Sequence, residues 1–258
     1  MLSHRKINVI FLTLCLMLLV LSWWITVKWW YFLVLLCFRF LFVLVGSSFI
    51  QFNYHVKGYC KNPNEKEKKI ALTFDDGPTE ITPQILALLK KHNIKATFFC
   101  IGKNIEQHPE ILKRTFGDGH VIGNHSFSHS HFFDFYWKER VIQELNDTNA
   151  IIEKTIGKKV SLFRPPYGVT NPSIGRALKI TQHKVIGWNI RSMDGVIKNE
   201  KIIYNRISKR IAPGSIVLLH DTSETTVRVL EQLLIFLRAN EYKIVGIEEL
   251  LNLKAYEN

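Results

Sequence analysis

At 258 residues, 47% of them hydrophobic, the chain is long enough for one sizeable domain with a full core, and it shows no internal repeats or low-complexity segments. A formal net charge of +12 first suggests nucleic acid, but residues 1–69 hold nine Lys/Arg against two Glu, and the surplus beyond them forms no dense basic stripe, so nucleic acid is not an expected partner. Four cysteines, Cys15, Cys37, Cys60 and Cys100, make no C-x-x-C, which argues against a disulfide framework or a thiolate zinc site.

Residues 7–52 contain two charges, Lys28 and Arg39, and no acid. Such a run accommodates two membrane helices of ~20 residues each. Lys28 with Trp23, Trp24, Trp29 and Trp30 then marks an interfacial turn between them. The alternative is one signal-anchor helix followed by a segment lying in the interface. No small-residue cleavage site follows at a sensible distance, so a cleaved signal peptide fits poorly. The expected organisation is a transmembrane region of one or two helices over 1–52, a juxtamembrane linker over 53–68 and a catalytic domain over 69–258. Lys57, Lys61, Lys66, Lys68 and Lys69 around the linker suit lipid headgroups. One span places the domain outside a bacterial-type plasma or inner membrane, which is the side expected here; two spans return it to the cytoplasmic side.

From residue 69 onward short apolar runs alternate with amphipathic stretches. The pattern predicts strands over 69–74, 96–101, 120–123, 160–163, 184–190, 215–219 and 243–247. It predicts helices over 83–91, with Thr82 as cap before Pro83, and over 104–116, 136–156, 172–180, 198–210 and 225–239. About seven alternations imply parallel strands joined by right-handed crossovers. No G-x-G-x-x-G or phosphate loop follows the first strand, so a barrel is favoured over a nucleotide-binding open sheet, with chemistry at the C-terminal strand ends.

The loops after the strands can therefore be read as one face. The first strand ends in Asp75 and Asp76, then Gly77-Pro78. Asp-Asp-Gly-Pro is ordinary turn chemistry, but two adjacent acids at one cleft need a cation or a raised pKa. The third strand leads to His125 and His129, four apart, which on a helical turn share a face; with one carboxylate they make a site for zinc or a similar dication. His131, two residues on, should point elsewhere. The fourth gives Arg164-Pro165-Pro166-Tyr167, a stiff loop whose arginine can face an acid. The fifth gives Asp194 and the sixth His220, a pairing suited to a general acid oriented by a carboxylate. One of the two aspartates would bind the metal and the other act as general base toward water.

Together these residues resemble the polysaccharide deacetylases of the NodB-homology type, carbohydrate esterase family 4. The family's motifs T-F-D-D-G-P, H-[ST]-x-x-H, R-x-P-[YF], a D-x-x-D-W-like segment and L-x-H fall at 73–78, 125–129, 164–167, 191–195 and 218–220. Three match fully and in order, and the resemblance covers about residues 69–250. It implies a distorted (β/α)7 barrel and a hydrolase acting on carbon–nitrogen bonds other than peptide bonds, which removes N-acetyl groups from an envelope glycan such as peptidoglycan. By resemblance Asp75 is the base, Asp76, His125 and His129 hold a divalent metal (Zn2+, with Co2+ or Mn2+ as alternatives), and Arg164 pairs with Asp75. The Tyr167 N–H serves the oxyanion, and His220 is the acid tuned by Asp194. The fourth motif departs: Arg191 stands in place of the first Asp and Gly195 in place of Trp, which bears on the substrate more than on the chemistry. Two other readings share these residues: a deacylase of a lipid-linked sugar at the membrane surface, and a glycan-binding pseudoenzyme, which requires a missing catalytic group.

Overall fold

A computed structural model describes residues 3–257; positions 1–2 and 258 of the two expected end segments lie outside the described residues. The chain opens with an antiparallel helical pair, α1 (His4–Leu21) and α2 (Trp30–Ser48), each long and apolar enough to cross a membrane, with mean hydropathies of 1.8 and 2.1. The tryptophan-flanked break falls between them, as the spacing of Lys28 and its aromatics requires. Each helix is covered only along a narrow stripe, Ile7, Phe11, Cys15 and Leu18 on α1 and Phe32, Leu35, Arg39 and Val43 on α2, and most of its other apolar side chains are exposed. Inside the pair, Arg39 Nε donates to Asn8 Oδ1 (3.3 Å).

The pair is tied to the rest of the chain. His4 N–H donates to the Tyr54 carbonyl (2.9 Å), so both open ends of the hairpin lie together. Thr170 N–H donates to Ser47 O at the end of α2 (3.0 Å), and Gln51 Nε2 donates to Trp188 O (3.0 Å). Ile50 is buried against Phe163, Val185 and Phe133.

The remaining elements are β1 (Gly58–Tyr59), β2 (Lys69–Gly77), α3 (Thr82–Lys91), β3 (Thr97–Cys100), α4 (Gly102–Gln107), α5 (Pro109–Gly117), β4 (Val121–Asn124), α6 (Lys138–Ile156), β5 (Leu162–Phe163), α7 (Pro172–Thr181), β6 (Lys184–Ile186), β7 (Ile190–Arg191), α8 (Glu200–Ser208), β8 (Ile216–His220), α9 (Glu224–Ala239), β9 (Lys243–Ile244) and α10 (Ile247–Leu251). The strands are parallel in the order β1-β6-β5-β4-β3-β2-β8-β7, with β9 beside the start of β2. This is the expected α/β barrel, distorted into a curled sheet that does not close. The segment predicted as one strand over 184–190 explains the seam. Its first half pairs with β5 and its second half with β8, so it bends across the gap as β6 and β7.

Three other boundaries differ from the pattern. The predicted helix 104–116 breaks at His108, because Pro109 cannot donate to a continuing helix and starts α5 instead. The predicted strand 243–247 pairs only over two residues before α10 begins. Within the expected linker, β1 adds to the sheet edge and Asn62 Nδ2 donates to Leu250 O (2.7 Å), so part of 53–68 belongs to the barrel.

Strand alternation divides the core and sets up the active face. On β2, Ile70, Leu72 and Phe74 point to the surrounding helices, whereas Ala71 belongs to the inner cluster with Phe99, Leu162, Trp188, Ile216 and Leu218. Thr73 and Asp75 are in phase with Ala71 and so face inward. On β8 the same count puts Leu218 and His220 inside.

Candidate active site

A regular strand would turn Asp76 away from Asp75. The pairing register shifts between Asp75 and Gly77, and Asp76 takes φ 75°, so a bulge re-aims its carboxylate into the cleft that Asp75 faces. Behind the bulge there is no room for a side chain: a Cβ on Gly77 would run into the Asp221 carboxylate. Asp221 is fully buried. It accepts from Thr82 Oγ1 (2.5 Å), and its N–H donates to Asp75 O (3.3 Å). Burial first, with the nearby Asp76 and Asp75 charges, pushes its carboxyl up to about 7 against the Thr82 hydrogen bond. Gly77→Ala is expected to displace this wedge and lower unfolding free energy by about 1–3 kcal/mol, readable by denaturant titration.

His125 and His129 meet by a different route from the helical turn expected. Residues after β4 form a loop in which Ser126 and His129 adopt positive φ, bringing the two rings to 4.9 Å. The loop is pinned from below by Glu144, a buried acid on the apolar face of α6. Its carboxylate accepts the N–H groups of Phe127 (3.0 Å) and Ser128 (2.8 Å) and the Ser128 hydroxyl (3.0 Å). Sequence reading missed this residue, although an acid between Val141 and Leu145, on the same helical face as Thr148 and Ile152, is a detectable signal.

Asp76 Oδ1 lies 3.4 Å from His125 Nε2 and 3.4 Å from His129 Nε2, is buried, and has no hydrogen-bond donor among the described residues. For ligand bonds of about 2.1 Å a tetrahedral edge is about 3.4 Å, which the two Asp76–histidine separations match, and one ligand atom from each of Asp76, His125 and His129 lies within 4.8 Å of the others, so the three could hold one dication. His125 Nδ1 donates to Arg164 O (2.7 Å), which leaves Nε2 with its lone pair toward the site. Burial opposes ionisation of Asp76, but His125, His129 and His220 hold its carboxyl below the usual range. Burial and the neighbouring His125 lower His129 to about 4, which keeps it a neutral ligand. His125 is drawn upward by Asp75 and Asp76 despite its burial: the cluster favours a positive charge at its centre. His131 does point away from these atoms, sharing a hydrogen bond with the Tyr167 hydroxyl (3.0 Å).

Arg164 is completely buried. Its guanidinium donates to Asp75 Oδ1 (2.7 Å), Thr73 Oγ1 (2.8 Å) and the carbonyls of Ile186 (3.0 Å) and Gly187 (2.9 Å), beneath the Phe99 ring at 4.2 Å. It is therefore both the counter-charge of Asp75 and a clasp on the barrel seam. Opposite, Asp194 Oδ1 accepts from His220 Nδ1 (2.7 Å) and Ser192 Oγ (2.5 Å), while Oδ2 accepts from His220 N–H (2.9 Å) and Thr226 Oγ1 (2.8 Å). Burial alone would lower His220, but Asp194 first, then Asp75 and Asp76, raise it to about 9. Tyr167 sits at φ 58°, and its N–H has no partner among the described residues.

All eight expected residues thus meet at one end of the barrel. They line or underlie a cavity of about 100 Å³, bounded by Asp75, Asp76, His125, His129, Tyr167, Trp188, Arg191, Leu218 and His220. Arg191 packs its guanidinium 5.8 Å from the Trp188 ring centre and has no carboxylate partner among the described residues. A Cβ on Gly195 would meet His220 only at 3.8 Å, so the space beside the imidazole is open.

A family model described as polysaccharide deacetylase matches residues 62–186. The peptidoglycan-N-acetylmuramic acid deacetylase PdaA of Bacillus subtilis is 34% identical over 195 residues, 73% of each chain. The chain belongs to the polysaccharide deacetylase family. The match to the family model ends at β6, before Asp194 and His220; the alignment with PdaA is longer. The peptidoglycan-N-acetylglucosamine deacetylase PgdA of Listeria monocytogenes is 36% identical over 71% of this chain, which spans only 39% of that protein. Among solved structures, the peptidoglycan deacetylase PdaC of Bacillus subtilis superposes with a TM-score of 0.68 at 34% identity, covering 74% of this chain and 92% of that one. The named relatives act on two different sugars of one polymer, so membership of this deacetylase family does not by itself choose between them.

Proposed function

We propose that the chain is a metal-dependent N-deacetylase of an N-acetylated envelope sugar, with 69–258 as its catalytic domain and β1 of the linker added to its sheet edge. The observation that carries this is the unpartnered, buried Asp76 Oδ1 equidistant from two histidine nitrogens, set between the Asp75–Arg164 and His220–Asp194 pairs. A divalent ion held by Asp76, His125 and His129 would polarise the acetyl carbonyl and lower the pKa of an attacking water. Asp75, fixed by Arg164, takes the proton from that water. The Tyr167 N–H donates to the carbonyl oxygen as negative charge builds on it. His220, protonated and oriented by Asp194, delivers a proton to the departing amine, and acetate is released. Removing metal with a chelator is expected to abolish acetate release, and zinc or cobalt to restore it. Full activity after exhaustive metal removal would contradict the scheme.

A second reading changes the acceptor to a lipid-linked sugar, and the hairpin favours it. If α1 and α2 both cross the bilayer, the His4–Tyr54 contact holds the amino terminus and the barrel on one side. That side carries Arg5, Lys6, Lys57 and Lys61 against Lys28 at the far turn, the charge balance of a cytoplasmic face. Arg191, unpaired at the cavity, would then meet a phosphate or another acidic group of the acceptor. A reporter fused to the carboxyl terminus is expected to be active as a cytoplasmic fusion. An externally active reporter would return the enzyme to mature wall glycan.

A further inference from the structure

Between His131 and α6, three large apolar side chains stand in solvent: Phe132 is 69% exposed, Phe135 80% and Trp137 78%. Single exposed apolar residues are commonplace, but three within six positions at the rim of a catalytic opening form a patch. The segment that carries them is well held. Phe133 is fully buried with Val141, Leu145, Phe163 and Ile50, Asn171 Nδ2 donates to Asp134 O (2.7 Å), and Arg140 lies 5.6 Å from the Tyr136 ring centre. A loop anchored this firmly holds its other rings outward.

Its neighbours say what those rings face. Ile50, which shares the apolar cluster with Phe133, is two residues beyond the end of α2. Thr170, next to the Asn171 that fixes Asp134, donates its N–H to Ser47 on α2 itself. The segment that carries the three rings is therefore anchored beside the point where the long apolar helix meets the barrel. Tryptophan and phenylalanine are the side chains that settle at a headgroup boundary, and Arg5, Lys6 and Lys57 at the same junction supply cations for anionic lipid. On the other flank, His131 bonds the Tyr167 hydroxyl, whose ring packs 4.9 Å from that of His129.

We propose that Phe132, Phe135 and Trp137 form a lipid-contacting face that seats the catalytic opening on the bilayer surface beside α2. The proposal rests on the reading that α1 and α2 cross the membrane. It sets the opening where acetylated sugars carried within or just above the headgroup layer would meet it.

The test is photocrosslinking of the full chain in vesicles of phosphatidylethanolamine and phosphatidylglycerol, with p-benzoylphenylalanine placed singly at position 135, 41 or 235. Position 41 reports whether α2 lies in lipid, and position 235, exposed on α9, serves as the aqueous control. Lipid adducts by mass spectrometry are expected at 41 and 135 and not at 235. Adducts at 41 without any at 135 would overturn the lipid-facing patch and leave the spanning helices standing. Crosslinking at 135 to added N-acetylglucosamine oligomer in place of lipid would overturn it too, making the rings a sugar platform. No lipid adduct at 41 would overturn the spanning reading, and the patch proposal with it.

Discussion

His220→Ala is expected to lower kcat for acetate release by about 10²–10⁴-fold, the usual size of a lost general acid, with little change in KM. The fold should survive. Asp194 keeps the Ser192 and Thr226 hydroxyls and the residue-220 N–H as donors, so no carboxylate is left bare in the core. Asp194→Asn gives the finer result. The working form of His220 is the protonated one, which Asp194 sustains by raising its pKa to about 9. Activity of the parent enzyme should therefore hold through neutral pH and fall as pH rises toward that value. A bound dication would offset the share that Asp75 and Asp76 contribute, so the alkaline limb falls at or below about 9. Without the Asp194 charge the histidine deprotonates at lower pH, and the alkaline limb of kcat must move downward. A pH–rate profile of the variant with its limb in the parent position would separate Asp194 from His220.

Arg164→Met is expected to have the largest effect on stability, about 3–5 kcal/mol by denaturant titration, because it leaves a buried carboxylate without its cation. The same change strips donors from the Ile186 and Gly187 carbonyls at the barrel seam, so β6 and β7 should be the first strands to lose amide-exchange protection. Activity should fall along with stability, since Asp75 loses the group that fixes its position. Arg164→Lys should be intermediate. It keeps a positive charge beside Asp75 but cannot span four acceptors in a plane. A Met variant as stable as the parent would mean that the pair contributes nothing to the seam.

How much of this could be read from the chain depended on the kind of signal. Residues 70–72 and 216–219 are unbroken apolar runs, so the placing of Asp75 and His220 at the ends of buried strands was readable from the sequence. Asp76 was not, because its aim comes from a bulge and a positive φ that an Asp at this position does not announce. The two histidines do come together, but not through the helical turn that their spacing suggests: their loop is no helix, and Glu144, nineteen positions from His125, shapes it. The strand over 184–190 had the right composition, yet only the curl of the sheet shows why it bends between two partners. Arg164 read as a stiff-loop arginine; its second role at the seam depends on backbone carbonyls, which carry no sequence signature.

If these groups act together as a hydrolase, the purified full chain should release acetate from N-acetylglucosamine oligomers. Measuring that release alongside the metal content of the chain is the most direct test. The expected result is one divalent ion per chain, steady acetate production, and none from Asp75→Asn at the same metal content. A fully metal-loaded parent chain that binds the oligomer and releases no acetate would contradict the proposed function, and would make the protein a glycan-binding member of the family.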